Sequence, residues 1–332
     1  MTEETTLTRR LLGSEGPEIT TVGFGAWAVG GAWKRGWGAT DDDESVAAIR
    51  RAVEGGANWV DTAAVYGLGR SEEVVGRALE PFAVGEEVLV FTKCGRVPEG
   101  PGSEEITNSL EPASIRAECE ASLRRLRVER IDLYQFHWPD SVTGTALEDS
   151  WGTMVELIEE GKVRWVGVSN FDVPLLERCE AIRHVDSLQP PLSLLERGSL
   201  DELVPWCRQN GTGVVVYSPM ASGLLTGAFS RERVEGLDEG DWRRESPSFQ
   251  DPALGRTLAL VERLNDLAER EGTTLPVLAV GWAVAQPGVT AAIVGARRPD
   301  QVDGWLPAGA LDLPPDVLEE IDRAVAETGA GG

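Results

Sequence analysis

A chain of 332 residues with 42% hydrophobic side chains can build a large core, and no run of 18 or more apolar residues offers a membrane-spanning helix. The formal net charge is −24, from 55 acidic against 31 basic residues, which argues against nucleic acid or an anionic membrane as a partner. Lys34, Lys93 and Lys162 are the only lysines, so arginine supplies nearly all the positive charge.

Such an acidic surface suits a salt-rich cytoplasm, where screening removes self-repulsion, or equally an ordinary acidic protein from an arginine-favouring genome. The start, Met1-Thr2-Glu3-Glu4-Thr5, lacks a basic segment followed by an apolar one. The four cysteines, Cys94, Cys119, Cys179 and Cys207, show no metal-type spacing. They read as free thiols of a reducing cytoplasm, and no metal site is expected. Cys94 directly follows Lys93, so it is either an oxidation-sensitive neighbour of a site or a small buried filler.

In chain order, Leu7 to Leu12 and Glu18 to Val22 flank Gly13-Ser14-Glu15-Gly16 and predict a β-hairpin. Apolar strand patterns follow near 22–25, 58–61, 88–93, 131–137, 163–168, 186–189, 213–217 and 290–294. Helical patterns alternate with them near 42–55, 71–80, 112–127, 146–161, 173–184, 200–210, 253–271, 274–286 and 315–327. Pro112 suits a helix start and Gly161 a helix stop. Eight β/α alternations predict a single (β/α)₈ barrel over residues 1–332, with neither internal linker nor low-complexity tract. Two stretches break the rhythm. The loop Ala32-Trp33-Lys34-Arg35-Gly36-Trp37-Gly38 is rich in glycine and tryptophan, and Gly227 to Asp251 is a long polar loop. On the active face, Trp33 and Trp37 would wall an apolar pocket, or else pack on the barrel rim.

Four polar residues stand at or just past the ends of successive apolar runs: Asp61, Tyr66, Lys93 and His137. In a parallel barrel the carboxyl ends of all strands open on one face, so these side chains should converge. Reducing a carbonyl by hydride creates an alkoxide that needs a proton. Tyrosine is a reluctant acid, and a lysine cation beside it would lower its pKa. A carboxylate helps keep a buried lysine charged, and an imidazole can hydrogen-bond the carbonyl oxygen. Those needs assign Tyr66 as proton donor, Lys93 as its tuner, Asp61 as the lysine's partner and His137 as orienter or relay. Gly23-Phe24-Gly25-Ala26-Trp27-Ala28 matches a dinucleotide-binding glycine fingerprint, but Val29-Gly30-Gly31 and the tryptophan loop follow where a helix must open, so a Rossmann reading is rejected.

These segments resemble the aldo-keto reductase family, and its bacterial general-stress branch in particular. The likeness rests on Asp61-Thr62-Ala63-Ala64-Val65-Tyr66-Gly67 with Ser71-Glu72, on Thr92-Lys93, and on Phe136-His137-Trp138-Pro139-Asp140. It continues through Val166 to Phe171, Leu188-Gln189-Pro190-Pro191 and Tyr217-Ser218-Pro219, and ends in Ile293-Val294-Gly295-Ala296-Arg297. It implies a TIM barrel whose N-terminal hairpin closes the bottom, and an NADP(H)-dependent oxidoreductase acting on aldehydes or ketones, with NAD less favoured. It further implies that Trp27 borders the cofactor and that Asp61 contributes to its site. Ser169, Asn170 and Gln189 would hold the nicotinamide carboxamide, and Tyr217 would stack on the ring. Ser218, Pro219, Met220, Ala221, Ser222 and Gly223 would wrap the pyrophosphate, with Arg243 a phosphate contact. Gly295, Arg297 and Gln301 would grip the adenosine end. A guanidinium fork at Arg297 suits a 2′-phosphate. Gly304 and Trp305 stand where the family carries an acid and an amide, which would place Trp305 on or near adenine.

Two alternatives share this barrel. One is a nicotinamide-binding regulatory protein resembling potassium-channel β subunits, which carry asparagine where His137 stands. The other is a sugar or polyol dehydrogenase working in the oxidative direction. Substrate and oligomeric state are set by loop shapes and surfaces that no single residue names.

Overall fold

A computed structural model describes residues 6–33, 36–38, 40–100, 103 and 105–331. Lys34 and Arg35 of the tryptophan loop, and the first five residues, lie outside them.

The predicted hairpin forms from β1 (Arg9–Leu11) and β2 (Glu18–Thr20), paired antiparallel. The chain then alternates as predicted: β3 (Val22–Gly25), α1 (Asp42–Glu54), β4 (Trp59–Asp61), α2 (Arg70–Leu79) and β5 (Leu89–Cys94). A short hairpin follows, β6 (Arg96–Pro98) with β7 (Ile106–Asn108). Next come α3 (Pro112–Leu126), β8 (Ile131–Phe136), α4 (Leu147–Glu159), β9 (Val163–Ser169), α5 (Val173–Glu180), β10 (Ser187–Gln189), α6 (Leu203–Asn210) and β11 (Gly213–Val216). The last part holds α7 (Arg231–Glu235), α8 (Ala253–Arg270), α9 (Leu275–Ala285), β12 (Ala291–Gly295), α10 (Pro299–Asp303) and α11 (Pro315–Thr328).

Eight parallel strands close into a barrel in the order β3, β4, β5, β8, β9, β10, β11, β12 and back to β3. This is the (β/α)₈ TIM barrel. The segment after β3 is a short 3₁₀ turn, Ala26–Gly30, rather than a helix, which removes the Rossmann alternative. Pro112 opens α3, and Gly161, at φ +75°, follows the end of α4.

The hairpin closes the N-terminal end of the barrel. Its Leu12 and Ile19 are fully buried against Trp59, Leu89, Phe91, Leu133, Val215, Ala291 and Ile293, which fill the barrel interior. The Ser14 amide donates to the Gly211 carbonyl at 2.7 Å, and the Trp165 indole to Glu15 at 3.0 Å. The larger core lies outside the strands, between barrel and helices.

Some elements differ from expectation. The β6–β7 hairpin was not foreseen, because strands of three residues carry too little alternation to read. The loop from Gly227 to Asp251 is not simply polar. Ser230 caps α7 by accepting from the Arg233 amide, and Phe229, Val234, Phe249 and Leu254 bury with Leu224 in a satellite core. The helix α5 stops at Glu180 because its carboxylate takes up the Val185 amide at 2.9 Å and the His184 ring at 2.8 Å.

One contact at the closed end fixes the barrel interior. A β-carbon on Gly23 would stand 2.1 Å from the Trp59 ring. That ring stacks on Phe91 at 5.3 Å and its N–H donates to Thr20 at 2.8 Å, so it has nowhere to go. Overpacking of this kind costs roughly 1–3 kcal/mol. Gly23→Ala is therefore expected to lower the unfolding free energy by that amount, read as a lower guanidinium midpoint at unchanged denaturant slope. An unchanged midpoint would show that the Trp59 layer is soft.

Candidate active site

The C-terminal strand ends bring Asp61, Tyr66, Lys93 and His137 together, as the spacing predicted. Lys93, buried near the end of β5, forms an ion pair with Asp61 at the end of β4 and donates to the Thr62 carbonyl at 2.9 Å. The second Asp61 oxygen accepts from Gln189 at 3.0 Å and from Gln135 at 3.3 Å. Tyr66 opens a turn made of left-handed residues, Gly67, Leu68 and Gly69. A β-carbon on Gly67 would lie 2.0 Å from the Gly30 carbonyl oxygen, so only glycine fits there. Ser71 ties this turn down, since its hydroxyl donates to the Ala26 carbonyl at 2.7 Å and sits 2.9 Å from the Thr62 hydroxyl. Glu72 is fully buried and accepts from Thr92 and from Arg125, both at 2.6 Å. The Ser71-Glu72 pair is thus an anchor between α2 and β5.

The Tyr66 ring meets His137 edge-on, with ring centres 5.5 Å apart, and the Lys93 ammonium lies 5.4 Å from the Tyr66 ring centre. His137 is held through its backbone, donating to Cys94 at 2.9 Å and accepting from the Asn170 amide at 3.0 Å. Burial, then the charges of Lys93 and Arg96, push its imidazole well below the usual histidine range, so the ring is neutral at pH 7. Burial and the Asp61 charge raise the Tyr66 phenol's pKa, and the Arg96 charge opposes the rise. Burial pulls the Lys93 pKa down and Asp61 pulls it up. Tyr66 is accordingly held as the protonated phenol.

A cavity of about 700 Å³ opens over these groups. Most of the residues expected at a cofactor line it: Trp27, Asp61, Ser169, Asn170, Gln189, Tyr217, Ser218, Pro219, Met220, Ser222, Gly223, Arg243, Gly295, Arg297 and Gln301. Ser169 donates to the Gln189 carbonyl at 2.8 Å, the Asn170 amide to the Ser169 hydroxyl at 3.0 Å, and the Tyr217 hydroxyl, pushed up to about 12 by burial, to the Asn170 side chain at 2.8 Å. Ser218, Ala221, Ser222 and Gly223 take left-handed backbone conformations, giving a tightly curled loop suited to cradling an anion. Ala221 itself turns inward and packs on the core rather than lining the cavity. Arg243 pairs with Asp241 and stacks on Trp37, with its guanidinium 4.8 Å from the ring centre. Arg297 donates to the Trp37 carbonyl at 3.1 Å, and its own amide donates to Gln301 at 2.8 Å. Trp33 and Trp37 are cavity walls, as the first of their two readings held. Trp305 lines the cavity's edge beside Gln301 and Gly304, while its ring is 1% exposed and packed in the main core. Cys94 is 1% exposed, and burial drives its thiol pKa up, so it is a core filler.

Sequence reasoning missed Gln135, Arg96 and Trp242. Gln135 was findable, because alternation along β8 places it on the same side as His137. Trp242 closes an aromatic cluster, 5.9 Å from Trp27 and 6.0 Å from Trp37.

The model of the aldo/keto reductase family matches residues 21–326. The chain belongs to the aldo/keto reductase family. Among its relatives, aldo-keto reductase YhdN of Bacillus subtilis (strain 168) is 35% identical over 87% of both chains. The NADH-specific methylglyoxal reductase of Escherichia coli (strain K12) is 36% identical over 95% of this chain and 97% of its own. Among solved structures, the glycerol dehydrogenase AKR11B4 from Gluconobacter oxydans superposes with a TM-score of 0.86 at 36% identity, covering 98% of this chain and 96% of that one. The aldo-keto reductase AKR11C1 from Bacillus halodurans gives a TM-score of 0.78 at 25% identity over 96% of both. This aldo-keto reductase is therefore an oxidoreductase of a family that uses nicotinamide cofactors. Among its described residues no helix is long and apolar enough to cross a membrane.

A buried acid behind the site sets a pH dependence. Both carboxylate oxygens of Glu118 accept from the Gly95 amide, at 3.1 and 3.2 Å, and Ser114 donates at 3.3 Å. Burial pushes Glu118 up to about 7, with Glu72 adding to the rise and Arg125 opposing it. An acid whose folded pKa is raised contributes stability that is full below the unfolded pKa and lost as pH rises through the folded one. Glu118→Gln mimics the protonated form. Between pH 5 and 8 the wild type should lose ~2 kcal/mol relative to this variant, read as the difference in unfolding free energy at each pH. A difference that does not change with pH would mean Glu118 stays ionised when folded.

Proposed function

We propose that this aldo-keto reductase reduces an aldehyde or ketone with NADPH in the cytoplasm, residues 1–332 acting as one barrel. The observation that carries this is the convergence of the Tyr66 phenol and the His137 imidazole, edge to face at 5.5 Å, beside the buried Lys93–Asp61 ion pair on the cavity floor. A reduced nicotinamide dinucleotide supplies hydride when bound. His137, neutral and fixed through its backbone, donates a hydrogen bond to the carbonyl oxygen and sets its angle. Tyr66 lies on the same side and gives its hydroxyl proton to that oxygen as negative charge develops there. Lys93 and Asp61 form a pair of no net charge that holds the floor rigid. His137, the position where channel-type barrels carry asparagine, supports the enzyme over a purely regulatory role.

The curled loop from Ser218 to Gly223, with Arg243 and Arg297 on the same cavity, fits a dinucleotide's phosphates. Ser169, Asn170 and Gln189 present amide and hydroxyl groups for a carboxamide, beside the Tyr217 ring. Arg297 supports NADPH over NADH. The NADH-specific relative at 36% identity favours the other choice, and the similarity to a glycerol dehydrogenase favours polyol oxidation by the same groups. The four cysteines are free and buried, which supports a reducing compartment.

The Tyr66→Phe variant should lose on the order of 10²–10⁴ in kcat for carbonyl reduction. Its cofactor affinity, read by tryptophan fluorescence, should stay near wild type. Retention of most of the kcat would remove Tyr66 as the acid. For Arg297→Ala, loss of a charge-assisted contact worth roughly 1.5–3 kcal/mol should weaken NADPH about tenfold or more relative to NADH in the same titration. Equal weakening of both would mean that Arg297 does not read the 2′-phosphate.

A further inference from the structure

The cavity is more positive than its surroundings. Among the described residues lining it, the one carboxylate is Asp61, which Lys93 neutralises, and the cations are Arg96, Arg233, Arg243 and Arg297. Three of these arginines gather away from the phenol. Arg233 stacks on Phe229 with its guanidinium 4.9 Å from the ring centre and donates to the Ala228 carbonyl at 2.7 Å. Arg243 also stacks on Phe229, at 5.4 Å, and Arg297 is bonded to Trp37. That group lies with the curled loop, so the phosphates of a dinucleotide account for it. Arg96 is at the other end. It follows Lys93 by three residues, and its charge acts on both Tyr66 and His137.

The backbone under Arg96 is pinned on every side. The Gly95 amide donates to Glu118, and the Gly95 carbonyl accepts from Ser109 at 3.0 Å. Across the hairpin, Arg96 pairs with Asn108, whose side chain donates to Pro139 at 3.3 Å. The Leu110 amide donates to Asp140 at 2.8 Å. The hairpin β6–β7 is thereby tied to the chain just past His137. Trp33, whose ring centre is 6.5 Å from that of Tyr66, and Trp138 also line the cavity, and apolar walls strengthen a charge contact made beside them.

Building on the reductase reading above, we propose that Arg96 is a specificity residue that selects carbonyl substrates bearing an oxyanion, a carboxylate or a phosphate, over neutral ones of the same length. A neutral aldehyde needs no cation beside the proton donor. An anionic one must enter a protein of net charge −24, and a guanidinium lining the cavity offsets that repulsion. The planar fork also suits an oxyanion's geometry, and lysine lacks it.

The test compares the wild type with Arg96→Gln and Arg96→Lys on two aldehydes of equal length, succinic semialdehyde and butanal. D-Glyceraldehyde 3-phosphate and glyceraldehyde form a second pair that separates a carboxylate preference from a phosphate one. The wild type should favour the anionic member of at least one pair in kcat/KM. In Arg96→Gln that preference should fall roughly tenfold or more, with the change in KM, and Arg96→Lys should lie between. Binding of 4-hydroxybutyrate and of 1-butanol, followed by quenching of the cavity tryptophans, gives a readout free of turnover. Tighter binding of the acid, lost in Arg96→Gln at unchanged thermal unfolding midpoint, supports the proposal. A wild type with no anionic preference in either assay overturns it. So does a variant whose anionic preference is unchanged whatever happens to its kcat, since Arg96 would then act on Tyr66 alone and not on substrate. If no aldehyde is turned over while 4-hydroxybutyrate still binds through Arg96, the reductase reading fails and the anion site stands.

Discussion

The buried ion pair between Lys93 and Asp61 is the constraint on which the open end of the barrel depends. Both side chains are almost fully shielded from water, 0% and 3% exposed, so neither tolerates loss of the other. Leaving one charge buried alone costs about 3–5 kcal/mol. The geometry satisfies both groups. Lys93 reaches Asp61 and the Thr62 carbonyl, while the free Asp61 oxygen takes two amide donors, Gln135 and Gln189. One carboxylate therefore joins β4, β5, β8 and β10 across the barrel mouth. The network continues outward. Gln189 is bonded to Gln135 at 3.2 Å and takes the Ser169 hydroxyl on its carbonyl, and Asn170 links Ser169 to His137 and to Tyr217. A satisfied polar network inside a low-dielectric floor fixes positions more strongly than apolar packing would. Tyr66 and His137 are held against that floor.

The same pair bears on the charge that Tyr66 feels. A lysine near a tyrosine lowers its pKa only if the lysine's charge is available. Here Lys93 contacts a carboxylate, and the charge of that carboxylate, Asp61, raises the phenol's pKa. The phenol stays protonated, and in the proposed reduction it would release its proton as charge arrives at the carbonyl oxygen. Arg96, outside the pair, is the cation whose field opposes that tendency.

What the sequence made legible follows from range. Barrel strands are short apolar runs that end abruptly in a polar residue, a local signal, so all eight and the four residues at their ends were readable. The Ser218 to Gly223 loop and Arg297 were placed only through family likeness, because nothing local marks them. Contacts across the barrel were not readable. Gln189 meets Asp61 over a separation of 128 residues and Gln135 over 74, and no periodicity encodes such a pair. Arg96 was missed for a different reason: its strand is three residues long, below the length at which alternation declares a face. The satellite core of Phe229, Val234, Phe249 and Leu254 was hidden because its members are too widely and irregularly spaced to read as one face. The depth of Trp305 was not legible either: its ring is packed in the main core while it still borders the cavity.

Charge is distributed by the same logic of exposure. Many arginines outside the cavity bridge neighbouring elements of the outer ring, as Arg51 does to Asp303 at 2.7 Å, Arg178 to Glu148 at 2.8 Å and Arg270 to Glu320 at 2.7 Å. Those pairs are about half exposed, so each stabilises little and is weakened further by salt. They leave the acidic excess of 24 charges on the surface. Arginines lining the cavity stand where water is partly excluded and screening is less effective, so a few of them can outweigh, locally, a much larger charge outside. Burial of Arg297 even pulls its pKa downward, with Arg243 and Arg298 adding to the fall, which is the cost of gathering cations before an anion arrives. An acidic exterior with a basic interior repels polyanions in general while keeping a favourable site for a small anion that fits, and that makes the cavity's shape, rather than the protein's net charge, the filter on what enters.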